Sequence, residues 1–401
     1  MKLDTPYYYK KFKCIGAACR DNCCRGEWLV EIDDETAEKY REMPGSLGDR
    51  LRTALFSEGG AAYLKRPDGT CPLLDSDGLC TVVKEAGPEA LGVVCDQFPR
   101  FSEYFGDRKE TGIGLACEEA ARIVLSAAPE EARLTETKLD EKPYDDDEYD
   151  AGWDGRVCRA RSVFDAMLEK AERGGGFDGL YKTLAAILLA AAGLQMSANK
   201  NDFEAFDAKI KSLEASAGES ELLELEKRLR PLSTNAAATR NAAYIELFSH
   251  LESIGPEWDE ELARLRRFYG TEPRVSRFPQ TVKAFEQENS GGAGTFARYA
   301  RYLLFRYLSK AVYDHDILGK CKMMALFTLT LEGIVMADAG RAAEKPAGLA
   351  KLTAAAVHLF SRQVEYDEEN MEQIAEDLTF ERCARTDELI SALTHYTMQI
   401  G

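Results

Sequence analysis

Cysteine side chains are the residues in this sequence best suited to chemistry, and eight of the eleven lie in the first third of the chain. Their spacing suits a soft metal centre whose ligands come from one compact loop and from several later elements. No histidine lies in this region, so the predicted metal is held mainly by thiolate, which favours zinc or an iron–sulfur cluster. The predicted metal ligands are Cys14, Cys19, Cys23, Cys24, Cys71, Cys80, Cys95 and Cys117.

A disulfide framework is the alternative explanation for so many cysteines. Disulfides predominate in short secreted chains, whereas this chain has 401 residues, an odd number of cysteines and an N-terminal stretch without the apolar core of a signal peptide. We therefore expect a cytoplasmic protein whose cysteines stay reduced and bind metal. A thiolate site can carry out chemistry or only stabilise the fold, and the residues alone leave both alternatives open.

Short elements are predicted to position these cysteines. Asp77 and Gly78 form a turn with apolar residues on either side, and this turn would bring Cys71 close to Cys80. Cys117 would begin an amphipathic helix, whose positive N-terminus would help to hold the side chain as a thiolate.

The rest of the chain is predicted to be helical. Residues 1–128 form the predicted cysteine-rich metal module, residues 129–155 an acidic connector, and residues 156–401 an α-helical domain in which apolar residues recur every three or four positions. The predicted fold is therefore mainly α: a small cysteine-rich module with short strands, followed by a helical bundle or array. Val163, Met167, Leu168 and Ala171 recur at three- and four-residue intervals and predict a helix that ends at Gly174. Further helices are predicted for residues 33–43, 180–192, 203–213, 222–229, 235–253, 256–268, 296–312, 319–336, 349–362 and 387–398.

Charge and composition narrow the function classes. The 69 acidic and 51 basic residues give a formal charge of −18, which opposes binding to nucleic acid and favours cationic partners. The longest apolar run, residues 184–194, is shorter than the roughly 20 residues that a membrane-spanning helix needs, so no span is predicted. Glycine-rich nucleotide-binding motifs and the zinc-protease motif are also missing from the sequence.

With these features in view, the sequence resembles the flagellin lysine N-methylase family. The likeness covers about the first 125 residues clearly. The element formed by Cys19, Cys23 and Cys24 is also similar to the YkgJ-type cysteine cluster. The matching motifs are Phe12-Lys13-Cys14 through Cys19, Cys23-Cys24 and Trp28; Cys71-Pro72-Leu73-Leu74 with Gly78-Leu79-Cys80; Gly87, Leu91 and Cys95 with Phe98-Pro99-Arg100; and Cys117 with Ala120-Ala121-Arg122.

The resemblance implies methyl transfer from S-adenosyl-L-methionine (SAM) to the ε-amino groups of surface lysines on flagellin. It also implies an iron–sulfur cluster, which we expect to be [4Fe–4S], with zinc as the alternative metal. From the charge and the short apolar runs, we expect no nucleic-acid or membrane partner. A non-catalytic, metal-stapled binding or chaperone-like protein for an exported partner stays open as the other function. The sequence does not identify catalytic residues. Cofactor-binding candidates, chosen by their position near the cysteines, are Tyr8, Trp28, Phe98 and Arg100.

Overall fold

The computed structural model describes residues 1–25, 30–64, 69–143, 147–228, 234–270, 283–285, 287–289, 291–339 and 349–400. Helices predominate in this part of the chain, and its strands all lie in the first 138 residues. This arrangement confirms the predicted fold class.

Two small sheets and several short helices form the cysteine-rich region. Their bounds are β1 (Lys2–Pro6), β2 (Val30–Ile32), α1 (Asp34–Glu42), α2 (Gly45–Ala54), β3 (Leu55–Glu58), β4 (Ala61–Leu64), α3 (Thr81–Ala86), α4 (Val93–Gln97), β5 (Arg100–Phe105), β6 (Arg108–Ile113), α5 (Glu118–Ser126) and β7 (Leu134–Lys138). One sheet has the strand order β5-β6-β1-β7, in which β1 is parallel to β6 and antiparallel to β7. The other sheet is antiparallel, with the order β2-β4-β3.

Long helices form the rest of the described chain. They are α6 (Ala151–Gly174), α7 (Gly176–Ala198), α8 (Phe203–Ser216), α9 (Glu219–Arg228), α10 (Thr234–Phe248), α11 (Pro256–Gly270), α12 (Ala293–Tyr307), α13 (Ala311–Asp314), α14 (Ile317–Ala339), α15 (Leu349–Phe360), α16 (Glu368–Phe380) and α17 (Thr386–Ile400). A π-helical turn, Ser361–Glu365, continues α15. The predicted helices correspond to helices of the structure, whereas α2, α3, α4 and α16 were not predicted.

The helix α7 lies in the large hydrophobic core. By length and composition it could cross a membrane, although its uninterrupted apolar run is too short to have predicted a span. In the structure, 67% of its most apolar window is buried, and Leu184, Ile187 and Leu188 are fully enclosed. Burial on nearly all sides therefore accounts for the apolar composition of α7, as it does for core helices in general.

The cysteine-rich region is shared between two hydrophobic cores. Tyr8 and Ile113 belong to the large core together with the long helices, whereas Cys71 belongs to a smaller core of its own, against which Cys24 and Cys80 pack. The predicted connector, residues 129–155, contains β7 and the start of α6. The division into a module, a connector and a helical domain stays a prediction.

Buried charges join β6 to α6. Arg161 donates a hydrogen bond of 2.6 Å to Glu110, and Arg108 donates to both Glu110 and Asp154. All four side chains are buried. Because an uncompensated charge in such a place is costly, the pairing fixes the position of the four-stranded sheet on the helices.

Candidate metal centre

The structure brings the first group of predicted ligands into one loop. Cys14 is exposed at its start, and Cys19, Cys23 and Cys24 are half-buried further along. All eleven cysteines lie within the described residues, and none of them forms a disulfide. The disulfide alternative therefore finds no support in this part of the chain.

Cys23 and Cys24 lie at the centre of the cysteine-rich region. A hydrogen bond with Cys24, followed by burial, raises the pKa of the Cys23 thiol well above its ordinary value, and the nearby Cys14 and Cys117 raise it further. On the other side, the Cys71 amide donates a hydrogen bond of 2.8 Å to the Cys24 carbonyl. The adjacent pair thus connects the early loop with the later cysteines.

These thiols have the right chemistry for a metal centre but do not form a ready coordination site. Within the described ranges, no three His, Cys, Asp or Glu side chains are arranged to hold a metal ion together. The cysteines nevertheless fit a thiolate-bound metal. Their sulfur atoms are reduced, and several thiols lie near enough to one another to change the pKa of Cys23. Metal binding would displace their protons. The assignment of the eight cysteines as ligands stays a prediction.

Glu118 fastens the early loop to the start of α5. Its carboxylate accepts hydrogen bonds from the Arg20 backbone amide at 3.0 Å and the Arg20 Nε at 2.8 Å. The Cys19 thiol donates to the Asp21 carbonyl at 3.3 Å and lies 3.7 Å from the Glu118 carboxylate. Burial, reinforced by the Glu118 charge, raises the pKa of Cys19 to about 12. Glu118 therefore holds the loop in place, and the Cys19 thiol stays protonated until a metal binds.

Cys117 is the N-cap residue of α5, as its sequence position predicts. The backbone amides of Ala120 and Glu119 lower the pKa of its thiol, but burial has the larger effect and raises the pKa overall. The helix N-terminus therefore acts in the predicted direction, but it does not by itself outweigh burial. A bound cation would be needed for that.

Asp21 connects the cysteine loop to the helical domain. Its carboxylate lies 2.6 Å from the His358 Nε2 and accepts a hydrogen bond of 2.9 Å from Arg362. His358 is on α15 and Arg362 is on the π-helical turn, so both come from more than 330 residues further along the chain. We call these three residues the Asp21 clamp. It places the cysteine loop against one face of the helical domain.

Replacing Asp21 by asparagine is expected to loosen this loop. The variant loses the charge that attracts both partners, so we expect amide hydrogen exchange in residues 19–24 to become about fivefold faster, a modest change because the pair is partly exposed. Asp77→Asn is the matched control, since the Asp77 side chain in the same region is 73% exposed. Equal exchange rates in the two variants would show that the clamp does not hold the loop.

The Asp21 clamp should also respond to acid. The hydrogen bond with His358, and then the charge of Arg362, lower the pKa of Asp21 against the opposing effect of burial. A carboxyl group whose pKa falls on folding stabilises the fold above its unfolded pKa and loses this effect as the pH falls through the folded value. We therefore expect the exchange protection of residues 19–24 to be complete at neutral pH and to disappear only below about pH 4.

The π-helical turn is supported from behind by buried polar groups. Tyr307 donates a hydrogen bond of 2.7 Å to Glu365, whose pKa is raised by burial, and Arg306 lies 3.8 Å from the same carboxylate. The Asn370 side chain donates to the Gln363 carbonyl at 3.0 Å, which satisfies a backbone group of the widened turn. Widened turns of this kind are frequent at functional sites.

The predicted cofactor-binding residues do not form one group. Tyr8 is buried and lines a cavity of about 220 Å³ between the module and the helices α6 and α12. Arg100 stacks on the Phe12 ring and donates a hydrogen bond of 3.2 Å to the Asp96 carbonyl. Trp28 lies outside the described residues. The cofactor-binding role of Tyr8, Trp28, Phe98 and Arg100 stays a prediction.

Phe98 contacts Tyr366, a residue that the sequence pattern did not identify as part of the site. Its ring meets the Tyr366 ring edge to face, with the centroids 5.5 Å apart. Tyr366 follows the π-helical turn, and burial raises the pKa of its phenol to about 12. His358, Arg362 and Tyr366 recur at intervals of four residues, a spacing that places them on one helical face. This spacing was the only signal in the sequence that the three residues act together. The residues that they contact, Asp21 and Phe98, lie near the other end of the chain.

The fold and the site together define a helical protein with a thiol-rich loop held against its helices, and comparisons with known proteins indicate its family. A family model described as the FliB lysine N-methylase C-terminal domain matches residues 179–392. Lysine-N-methylases of Salmonella typhimurium strain LT2 and Salmonella choleraesuis are each 32% identical over 147 residues, which is 34% of this chain and 35% of theirs. The flagellar biosynthetic protein FliU of Salmonella muenchen is 33% identical over 146 residues, or 34% of this chain and 83% of FliU.

The family model covers more than half of the chain. The chain therefore belongs to the FliB lysine N-methylase family. The aligned part spans about a third of the length of the two lysine-N-methylases. No solved structure matches this chain.

Proposed function

We propose that this protein transfers methyl groups from SAM to the ε-amino groups of surface lysines on flagellin. The observation that carries this proposal is that the family domain, residues 179–392, contains His358 and Arg362, which hold the cysteine loop through Asp21. The part of the chain that matches the family model therefore contacts the cysteine loop directly. The names of the relatives, lysine-N-methylase and flagellar biosynthetic protein, support lysine and flagellin as the acceptors.

The reaction is a direct displacement. The neutral lysine nitrogen attacks the methyl carbon of the sulfonium, a carbon–nitrogen bond forms, and the carbon–sulfur bond breaks with its electrons going to sulfur. The products are methyl-lysine, S-adenosylhomocysteine and one proton. The protein must first remove the ammonium proton, which a less polar site and a nearby carboxylate both favour.

We also propose that the cysteine-rich region holds a [4Fe–4S] cluster, with zinc as the alternative metal. The ligands would come from the eight predicted cysteines, of which Cys14, Cys23 and Cys117 are among those in electrostatic contact. When bound, the cluster would supply an iron able to ligate the amino and carboxylate groups of SAM. Reduced thiols of this kind fit a cytoplasmic location, which we propose for the protein.

The proposed activity is tested by incubating purified flagellin with the protein and SAM and analysing the flagellin lysines by mass spectrometry. We expect mass increases of one methylene unit, or multiples of it, on lysine and on no other residue type. Protein without SAM is the control. If flagellin binds but gains no mass, the non-catalytic binding or chaperone-like function explains the fold better.

A further inference from the structure

Tyr366 completes the face that the helical domain turns towards the cysteines. His358 and Arg362 on this face are both engaged by Asp21. Tyr366, four residues further on, is 40% exposed. Within the described part of the chain, no group hydrogen-bonds to its hydroxyl. A partly exposed aromatic residue with an unused hydroxyl, located between two ordered elements, is suited to binding a ligand.

Two backbone segments hold the Tyr366 ring in a defined position. Phe98 packs edge to face against it, and Gly114 lies beneath it, where an added Cβ would be 3.1 Å from the Tyr366 Cε2 and 3.3 Å from its hydroxyl oxygen. The Gly114 amide donates a hydrogen bond of 2.7 Å to the Pro99 carbonyl, which joins the two segments. A methyl group at position 114 would therefore crowd the ring, and the phenol would have to shift by a few tenths of an ångström to accommodate it.

The Tyr366 ring also lies beside the predicted metal ligands. The Cys117 amide donates a hydrogen bond of 3.4 Å to the carbonyl of Gly114, the residue beneath the ring. Cys117 caps α5, and its neighbour Glu118 fastens the loop that leads to Cys23. Tyr366 therefore lies next to the thiol-rich centre while the residue as a whole stays partly exposed.

We propose that Tyr366 and Phe98 form the wall that receives the acceptor lysine, an aliphatic primary amine. This inference rests on the proposed methylase function and adds the acceptor site to it. The ring faces contact the methylene chain of the lysine and stabilise its ammonium group before deprotonation. The phenol oxygen accepts a hydrogen bond from the amine, which leaves the nitrogen lone pair directed at the methyl donor.

The first test measures steady-state kinetics with flagellin and SAM varied separately. Tyr366→Phe keeps the ring and loses the hydroxyl, so we expect the KM for flagellin to rise about fivefold with the KM for SAM unchanged. For Tyr366→Ala we expect kcat/KM for flagellin to fall at least about tenfold. Gly114→Ala crowds the ring without altering it, so we expect a loss in the same direction but smaller than that of Tyr366→Ala. Tyr7→Ala is the matched control, because Tyr7 is 48% exposed elsewhere on the N-terminal region.

A rise in the KM for SAM alone would assign this wall to the methyl donor and overturn the proposal, as would variants that behave like Tyr7→Ala. The second test does not depend on activity. It compares binding of a lysine-containing flagellin peptide with binding of the same peptide carrying norleucine. Wild-type protein should prefer the lysine peptide, and Tyr366→Ala should lose this preference. If the wild type binds with this preference but does not methylate, only the proposed function fails. An unchanged preference in Tyr366→Ala overturns the acceptor site.

Discussion

Protein with Cys23 replaced by serine and purified without oxygen is expected to retain less than about a tenth of the metal bound by the wild type, since even changes outside the ligand sphere weaken metal sites up to a hundredfold. Cys23 is in contact with the adjacent Cys24 thiol and has Cys14 and Cys117 nearby, so its loss disturbs the centre of the predicted ligand set. The measurement is iron, zinc and acid-labile sulfide per chain. Lysine methylation should fall together with metal content.

The control for this variant is Cys383→Ser. Cys383 is half-buried in the helical domain and is outside the predicted ligand set. We expect it to keep the metal content of the wild type. Iron and sulfide in similar amounts would support the cluster, whereas zinc without sulfide would support the alternative metal. If Cys23→Ser and Cys383→Ser bind equal amounts of metal, Cys23 is not a ligand.

Replacing Arg301 by alanine is expected to lower the free energy of unfolding by about 3–5 kcal/mol, the usual result of removing one partner from a buried ion pair. The Arg301 side chain is only 1% exposed. It donates hydrogen bonds of 2.7 Å to Asp165 and 2.8 Å to Glu172, both on α6, and one of 2.8 Å to the Pro129 carbonyl. The variant leaves the fully buried Glu172 with Arg298 as its remaining cationic partner.

Arg133→Ala provides the comparison for Arg301. Arg133 also pairs with a glutamate of α6, Glu169, but its own side chain is 61% exposed. Exposed pairs contribute little, so we expect a loss below about 1 kcal/mol. Urea unfolding followed by circular dichroism measures both variants. Similar losses in the two would mean that Arg301 does not fasten α12 to α6 and to the segment before β7.

Apolar periodicity predicted the helices because their buried positions repeat every three or four residues. Val163, Met167, Leu168 and Ala171 illustrate this, since all four are buried on α6. The β5–β6 hairpin lacks such a signal. Its buried positions include charged side chains such as Glu110, whose partner Arg161 is 51 residues away. A sequence pattern records the polarity of a residue but not the partner that neutralises it.

The cysteines of the site were recognisable in the sequence because of their type and spacing. The residues that hold the cysteine loop against the helices were not recognisable in this way. Asp21 and His358 are separated by 337 residues, and neither belongs to a motif of its own. Tyr366 is equally inconspicuous, because a single tyrosine after a helix has many structural explanations. The contribution of the family domain to the site therefore became visible only when the fold brought the two ends of the chain together.

The position of β1 between β6 and β7 has a consequence for biosynthesis. Lys2 of β1 pairs with Arg108 of β6, roughly a hundred residues later, so the first strand cannot join its sheet until the ribosome has made β6. At about 5–20 residues per second, that interval lasts on the order of 10 s. During it, the thiols that follow the first strand are accessible to oxidants and to metal donors. Delivery of metal to the nascent chain would therefore compete directly with oxidation.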